Sequence, residues 1–237
     1  MFDSDKKYKV AVIGSGISGI SSAWFLGQKH EVTLFEKNST LGGHTNTLDV
    51  TLSGGEHVPV DTGFIVYNEP NYPLLTAMFA HLGIATHPTE MSFAVTIDQG
   101  RLEYAGNNLN TLFAQRKNIF SPRYWRMLAE ILRFNKLAKA DLAQGLPKHF
   151  TLGDYLRENG FGQSMQQAYL LPMAAAIWSC PTETMLQFPV QSFLQFFANH
   201  GLLNINDRPQ WRTVINGARS YLDKIVALNR FAVYQHG

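Results

Sequence analysis

The 237-residue sequence contains a single cysteine, Cys180, and carries little net charge. A single cysteine excludes an internal disulfide and is consistent with a reducing cytoplasm as the location. One cysteine and scattered histidines also do not form a structural zinc site. Lysine and arginine together exceed aspartate and glutamate by only two, from 20 and 18 residues. This balance gives no electrostatic case for a nucleic-acid partner.

Long apolar runs are also missing. The longest stretches, such as Tyr169 to Ile177, fall far short of the roughly 20 residues that span a membrane, so we expect no transmembrane segment. The first apolar run, Val10 to Ile13, is too short for a signal peptide and predicts a strand. Ser-His-Asp order, paired-carboxylate patterns and H-E-x-x-H are absent, so no catalytic residue is assigned.

The first fifty residues do contain a pattern that is typical of binding the ADP part of a dinucleotide. Residues 8–13 are apolar and β-branched and predict a buried parallel strand. A G-x-G-x-x-G turn follows at Gly14–Gly19, and then come a helix-prone run over 20–26, a second strand over 31–35 and the acid Glu36. This order is the context that a dinucleotide motif requires, and it disfavours an ordinary glycine turn.

Each part of the pattern has a physical role in holding a dinucleotide. Gly14 permits a tight turn, Gly16 lets the backbone approach a pyrophosphate without a Cβ in the way, and Gly19 allows close packing of helix on strand. The amides and the dipole at the start of the helix favour phosphate. Glu36 can accept hydrogen bonds from the ribose hydroxyls, and its charge would repel a 2′-phosphate.

A second glycine pair, Gly42-Gly43, lies six residues after Glu36 and favours FAD over NAD, because a minimal NAD site does not require it. Together with Asp61-Thr62-Gly63 and the glycine-containing stretch 211–217, it resembles the flavin-dependent amine oxidase and phytoene desaturase superfamily. The resemblance implies FAD as cofactor, with the Gly-Gly loop beside the pyrophosphate and ribityl chain. The likeness is nearest to predicted bacterial NAD/FAD-binding oxidoreductases that are often encoded beside cyclopropane fatty-acid synthases.

The motifs and the resemblance together predict a set of cofactor-binding residues. These are Gly14, Ser15, Gly16, Ile17, Ser18, Gly19, Glu36, Lys37, Gly42, Gly43, His44, Thr45, Asp61, Thr62 and Gly63. Histidine at position 44 departs from the arginine that many amine oxidases have after the glycine pair. A neutral imidazole neutralises less phosphate charge, so His44 either hydrogen-bonds the cofactor or simply lies in the loop.

The predicted fold is α/β, with a Rossmann-like FAD-binding domain of parallel strands and helices and a mostly helical substrate or cap region. We assign residues 1–70 to the FAD-binding core, 71–201 to the substrate region and 202–237 to a segment that returns to the FAD domain. Members of the superfamily normally continue well beyond residue 237. We therefore expect this chain to be the N-terminal part of a larger enzyme and do not expect full activity from it alone.

The resemblance implies an FAD-dependent oxidoreductase that oxidises or desaturates a carbon centre by hydride transfer to the flavin. A small-molecule substrate of lipid or fatty-acyl type is a hypothesis that rests on the resemblance and on aromatic richness. One alternative is a dinucleotide-binding module without catalysis, or an inactive fragment. Another is an NAD-dependent dehydrogenase, against which Gly42-Gly43 argues. The sequence does not indicate an oligomeric state.

Two patterns in the second half have two interpretations each. A helix over 124–140, capped by Ser121 and with Pro122 in its first turn, has a basic side. Its predicted apolar side consists of Trp125, Leu128, Ile131 and Leu132. The helix either lies on an anionic membrane surface or packs on the core with a solvated basic face, and we favour the second. The aromatic residues around Phe193 form either core or the wall of an acyl pocket.

Overall fold

The computed structural model describes residues 6–147, 149–205 and 208–235, which fold into two compact units. The first unit combines Met1–Glu90 with Gln210–Gly237, and the second is Met91–Pro209. Across the described part of the chain, no helix combines the length and the apolar character that crossing a membrane requires.

The first unit begins with the strand, helix and strand that the nucleotide-binding pattern predicts. Its elements before residue 90 are β1 (Lys9–Ile13), α1 (Ile17–Leu26), β2 (Glu31–Glu36), β3 (Thr47–Thr51), β4 (His57–Asp61), β5 (Tyr67–Asn68), α2 (Pro73–Leu82) and β6 (Thr86–Thr89). β1 and β2 are parallel, with Lys9 opposite Glu31 and Ile13 opposite Phe35. β3 and β4 form an antiparallel hairpin.

The second unit opens with a hairpin and is otherwise helical. Its elements are β7 (Ala94–Ile97), β8 (Leu102–Ala105), α3 (Leu109–Leu112), a 3₁₀ turn (Arg116–Phe120), α4 (Pro122–Gln144), α5 (Leu152–Glu158), α6 (Gln163–Met165), a π-helical turn (Gln166–Leu170), α7 (Leu171–Trp178), α8 (Thr182–Leu186) and α9 (Val190–Asn199). The mostly helical character that the sequence predicts for this part of the chain is therefore confirmed.

The last described segment returns to the first unit as β9 (Trp211–Val214), α10 (Arg219–Ala227) and β10 (Ala232–Gln235). β10 pairs in parallel with β2, which gives a three-stranded sheet in the order β1-β2-β10. β9 lies between β5 and β6 and is antiparallel to both. The predicted α/β fold with a Rossmann-like parallel sheet is confirmed by this arrangement.

The compact units have different boundaries from the segments that we predicted, which ended at residues 70 and 201. α2 and β6 belong to the first unit, because β6 pairs with β9 and Phe79 of α2 packs against Tyr221 of α10, with 5.3 Å between ring centroids. Both contacts join residues that are far apart in sequence, so local patterns do not reveal them. The functional roles of the segments stay predictions.

The parallel sheet buries its central strand and not its first one. Val32 and Leu34 of β2 are buried against Ile20 and Ala23 of α1. The prediction of a buried β1 is wrong, since its residues alternate between exposed and half-buried, and Ile13 is 79% exposed. β1 is the edge of the sheet in the described chain and pairs with β2 on one side.

α4 has the predicted cap but a different buried face. Ser121 Oγ accepts a hydrogen bond from the amide of Tyr124 at 3.3 Å. Trp125 and Leu132, placed on the apolar side by the sequence pattern, are 50% and 52% exposed, and the buried residues of the helix are Tyr124, Met127, Phe134 and Ala138. On the basic side, Arg133 covers an aromatic ring and donates to two backbone carbonyls. These contacts favour ordinary packing over a membrane-bound helix.

The aromatic residues of α9 are core. Phe193 and Phe197 are buried, and their rings stack with 4.3 Å between centroids. Trp178 at the end of α7 stacks on Phe193 at 5.6 Å and approaches Phe196 at 4.6 Å. Rings at these separations fill the space between their helices, so this cluster is a packed interior and not the wall of an acyl pocket.

Candidate dinucleotide site

The glycine turn between β1 and α1 has the geometry that the motif requires. Gly14 has a φ of 89°, which favours glycine, and its amide donates to the carbonyl of Phe35 at 2.8 Å. A Cβ on Gly19 would overlap the carbonyl oxygen of Gly14, so only glycine allows this approach of helix to turn. By contrast, a Cβ on Gly16 would meet no atom within 4 Å.

Helix α1 begins at Ile17, three residues before the helix-prone run that the sequence shows. Gly16 is its N-cap residue and supplies no side-chain cap. The first-turn amides of a helix have no partner within the helix, and here Ile17 and Ser18 are exposed. The turn therefore presents backbone donors and the positive end of the helix dipole beside the open space at Gly16.

Ser15 connects the separate parts of the predicted site. Its side chain is fully buried, and its Oγ donates to Glu36 Oε2 at 2.6 Å. The Ser15 amide donates to the same carboxylate oxygen at 2.8 Å. The Ser15 Oγ also accepts a hydrogen bond from the amide of Gly42 at 3.0 Å. One serine thus joins the glycine turn, the acid at the end of β2 and the Gly-Gly loop.

Glu36 is buried at the end of β2, and its charge is held by hydrogen bonds within the protein. Besides the two from Ser15, its Oε1 accepts one from the amide of Asn38 at 2.9 Å. The Ser15 hydroxyl, followed by the backbone amides, lowers the pKa of Glu36 to about 2. Glu36 therefore orients the turn, a role that the sequence did not indicate. Ribose binding by the same carboxylate stays a prediction.

We expect Ser15→Ala to lower the free energy of unfolding by about 1–3 kcal/mol at pH 7, because it leaves buried polar groups without a partner. The effect should depend on pH. The folded-state pKa of Glu36 lies below its unfolded value of about 4.3, so its contribution to stability is present above that pH and is lost as pH falls towards 2. The mutant raises the folded-state pKa, so the stability difference should shrink between pH 5 and pH 2.

Urea unfolding followed by circular dichroism at several pH values measures this difference. Ser21→Ala is the matched control, because Ser21 Oγ donates to a carbonyl within α1 from an exposed position. We expect the control to change stability by less than about 0.5 kcal/mol at every pH. A Ser15→Ala effect as large at pH 2 as at pH 7 would contradict the assigned hydrogen bond to Glu36.

The Gly-Gly loop lies against the glycine turn. Gly42 forms an isolated parallel bridge with Gly16, and a Cβ on Gly43 would lie 3.2 Å from the Gly16 Cα. Gly42 has a φ of 115° and leaves no room for a side chain, since a Cβ there would lie 2.5 Å from Leu222 Cδ1. Thr45 Oγ1 shares a 2.5 Å hydrogen bond with the Tyr221 hydroxyl of α10. The loop is thus fixed between the turn and α10.

The segment Asp61-Thr62-Gly63 runs beside the residues that follow the glycine pair. The Thr62 amide and Oγ1 both donate to the carbonyl of Asn46, and a Cβ on Gly63 would overlap the His44 carbonyl. His44 itself contributes this carbonyl, which also accepts from the Phe64 amide at 2.7 Å. The side chains of His44 and Lys37 are exposed. The structure therefore brings this segment and the loop together, and their contacts with a cofactor stay predictions.

Asp61 has a structural contact that the sequence did not predict. Its carboxylate accepts from the amide of Ala218 at 2.9 and 3.1 Å, which closes the N-terminus of α10. Thr47 Oγ1 donates to Asp61 Oδ1 at 2.5 Å and accepts from the Arg219 amide at 2.9 Å. A carboxylate at this position also interacts favourably with the helix dipole.

Asp61→Ala should therefore lower the free energy of unfolding by about 1–3 kcal/mol, because two buried donors, the Ala218 amide and the Thr47 hydroxyl, lose their acceptor. Asp49→Ala is the matched control, since Asp49 forms an exposed ion pair with Arg219 of the same helix. A surface pair of this kind contributes about 0–1 kcal/mol. Chemical denaturation of both variants measures the difference, and equal effects would count against the capping role of Asp61.

The sequence predicted the motifs of the site but not most of the residues that support them. Ser15 was predicted as a motif residue. Its hydrogen-bond partner, Glu36, was also predicted, because it is the acid at the end of β2. Thr47, Ala218 and Tyr221 were not predicted at all. They lie outside any motif, and α10 reaches the loop from about 170 residues further along the chain. No local pattern indicates such a contact.

The fold and the site define a protein with a Rossmann-like dinucleotide-binding domain. Residues 12–82 match the family described as NAD(P)-binding Rossmann-like domain. The chain is 52% identical over 48 residues to bilirubin reductase of Mediterraneibacter gnavus, and 51% identical over 41 residues to a 4,4'-diapophytoene desaturase of Staphylococcus aureus. These matches cover 20% and 17% of this chain and 8% of each relative.

The fold of the whole chain is similar to that of cyclohexylamine oxidase from Brevibacterium oxydans. The TM-score is 0.65 at 18% identity, and the match covers 96% of this chain and 51% of the oxidase. The predicted resemblance is thus confirmed locally in sequence for the desaturase, whereas the likeness to the amine oxidase is one of fold. The chain spans about half the length of this oxidase, and the nearer resemblance to a bacterial branch stays a prediction.

Proposed function

We propose that the chain binds FAD and that the whole protein is a flavin-dependent oxidoreductase that oxidises or desaturates a carbon centre of a small molecule. The observation that carries the proposal is the Ser15 network, which joins the glycine turn to both Glu36 and the Gly42-Gly43 loop. A plain glycine turn needs neither an acid nor a second glycine pair. The amine oxidase-like fold supports the same conclusion.

The residues present fit a dinucleotide. The backbone at Gly16 is open where a Cβ would otherwise project, and the first-turn amides of α1 face the same region without a side-chain cap. We propose that the amides of Ile17 and Ser18 hold the pyrophosphate and that Glu36 accepts from the ribose. Bound FAD would supply the hydride acceptor, while the protein orients the substrate and excludes water.

The roles that we propose for the remaining predicted residues are less specific. Gly42, Gly43, His44 and Thr45 would line the ribityl side of the cofactor, and the Thr45 hydroxyl is already fixed by Tyr221. Residues 61–63 would support that loop from behind. We assign no catalytic residue, because the hydride acceptor belongs to the cofactor.

We further propose that the small-molecule substrate is lipid-like. It is supported by the relative named 4,4'-diapophytoene desaturase, whereas the aromatic cluster around Phe193 gives it no support because those rings pack on one another. Turnover of fatty-acyl lipids by the FAD-bound protein would support it, and oxidation of amines alone would exclude it.

We also propose a cytoplasmic location, which the single cysteine favours.

The first test is a visible absorption spectrum of the purified chain after incubation with FAD and gel filtration. We expect flavin bands to elute with the protein and NAD at the same concentration to compete poorly. NAD shares the ADP part of FAD but lacks the ribityl chain, which the Gly42-Gly43 loop is proposed to contact. Colourless protein after incubation with excess FAD would contradict an FAD site in this chain.

A further inference from the structure

The second unit exposes large apolar side chains where the 3₁₀ turn meets α4. Ile119 and Phe120 of the turn are 42% and 86% exposed, and Trp125 of the helix is 50% exposed. The Trp125 indole Nε1 donates to the Ile119 carbonyl at 2.8 Å, so the three residues are neighbours. Single exposed apolar residues are ordinary, whereas a contiguous group is typical of an interaction surface. We call these three residues the apolar tip.

The core of the unit does not account for the apolar tip. α4 packs through a different face, whose buried residues are Tyr124, Met127, Phe134 and Ala138. The Trp125 ring rests partly on Phe113, with 5.2 Å between centroids, and half of it stays exposed. Apolar area at the tip is therefore left for a contact outside the unit.

Basic residues accompany the apolar tip. Between residues 104 and 129 the sequence contains four basic residues and no acidic one. The four are Arg116, Lys117, Arg123 and Arg126, and all are exposed. Among the described residues, none of them has an ion-pair partner. The next acid along the chain, Glu130, is half-buried and accepts from the Gly162 amide at 3.2 Å. The charge of this basic group is thus not neutralised by a carboxylate of the protein.

The geometry of the 3₁₀ turn aligns charge with apolar surface. Side chains three residues apart eclipse one another in a 3₁₀ helix, so Lys117 lies in line with Phe120, and Arg116 with Ile119. Long basic side chains lay their apolar stems along such surface and keep the charged end at its polar edge. The turn therefore combines an apolar end with positive charge at its side.

We propose that this end of the second unit binds the surface of an anionic lipid bilayer. The apolar tip would enter the interfacial layer, where aromatic side chains are favoured, and the basic group would lie at the level of the lipid phosphates. A lipid interface accepts protruding side chains without a matching pocket and supplies the negative charge that the protein lacks here. α4 stays packed on its unit, and only its first turns and the turn before it touch lipid.

The proposal is independent of FAD, since all of these residues belong to the second unit. Sedimentation of the purified chain with vesicles at low ionic strength tests it. We expect binding to vesicles of equal parts phosphatidylglycerol and phosphatidylcholine to be at least tenfold tighter than to phosphatidylcholine alone, and to weaken when sodium chloride is added. No binding to the phosphatidylglycerol vesicles, or equal binding to both kinds, would overturn the proposal.

Two variants with matched controls separate insertion from charge. Phe120→Ser should weaken binding at least fivefold, while Leu74→Ser should not, because Leu74 is also 86% exposed but belongs to α2 of the first unit. Lys117→Glu should weaken binding at least tenfold. Lys29→Glu makes the same change in net charge at an exposed residue of the first unit and should have a smaller effect. Native binding by Phe120→Ser would refute insertion, and equal losses from the two lysine variants would attribute binding to net charge alone.

Fluorescence quenching locates the contact directly. Bromine atoms on the acyl chains of phosphatidylcholine quench a tryptophan only when it lies close to them, and the chain has four tryptophans. We expect mixed vesicles that contain brominated lipid to quench the native chain, and Trp125→Phe to bind these vesicles but to lose most of the quenching. Undiminished quenching in Trp125→Phe would place the lipid contact elsewhere and refute the proposed surface.

Discussion

Gly16→Ala is expected to weaken FAD binding by at least tenfold while leaving the fold intact. A Cβ at this position meets no protein atom within 4 Å, and the backbone there has a φ of −59°, which alanine adopts without strain. The methyl group would instead occupy the space where we propose that the pyrophosphate approaches the turn. A tenfold loss corresponds to about 1.4 kcal/mol of binding free energy.

Quenching of flavin fluorescence on titration of FAD with protein measures this effect, and chemical denaturation measures stability in parallel. Gly54→Ala is the matched control, because a Cβ on Gly54 in the β3–β4 turn also meets nothing within 4 Å. We expect both variants to unfold within about 0.5 kcal/mol of the native protein and only Gly16→Ala to lose FAD. Undiminished FAD binding by Gly16→Ala would place the pyrophosphate elsewhere.

The nucleotide-binding start could be predicted from the sequence because its requirements are local. Gly14 and Gly19 are required by steric contacts within one turn. The strands before and after the motif, β1 and β2, were each predicted from a short apolar run. The boundaries of the elements were less accurate. Helix α1 begins at Ile17, because the Gly16 carbonyl already accepts the first helical hydrogen bond, from the Ile20 amide at 3.0 Å.

The parts that sequence reasoning could not predict depend on contacts between distant segments. Asp61 was assigned to the cofactor from a family resemblance, yet its carboxylate accepts from the Ala218 amide, 157 residues away. The exposure of β1 has a similar origin, since the apolar composition of a strand does not reveal whether it lies at the edge of its sheet. A sequence shows which residues of a strand are apolar, but how many strands and helices cover that strand depends on the whole fold.

Gly19→Ala is expected to reduce the stability of the first unit strongly, in contrast to the same substitution three residues earlier. The added Cβ would overlap the carbonyl oxygen of Gly14, which is backbone and cannot rotate away as a side chain would. Either the turn must open or α1 must move off β2, where Ile20 and Ala23 are fully buried. Overpacking typically costs about 1–3 kcal/mol, and we expect about 3 kcal/mol here because backbone must move.

Urea denaturation followed by circular dichroism measures this loss, and Ser18→Ala is the control because Ser18 is an exposed neighbour in the same helical turn. The control should remain within about 0.5 kcal/mol of the native protein. FAD binding by Gly19→Ala should fall together with folding, since opening the turn also displaces the Ser15 amide that donates to Glu36. Native stability in Gly19→Ala would mean that α1 does not pack against Gly14 as closely as the turn requires, and the proposed binding role of Gly16 would then lose its structural basis.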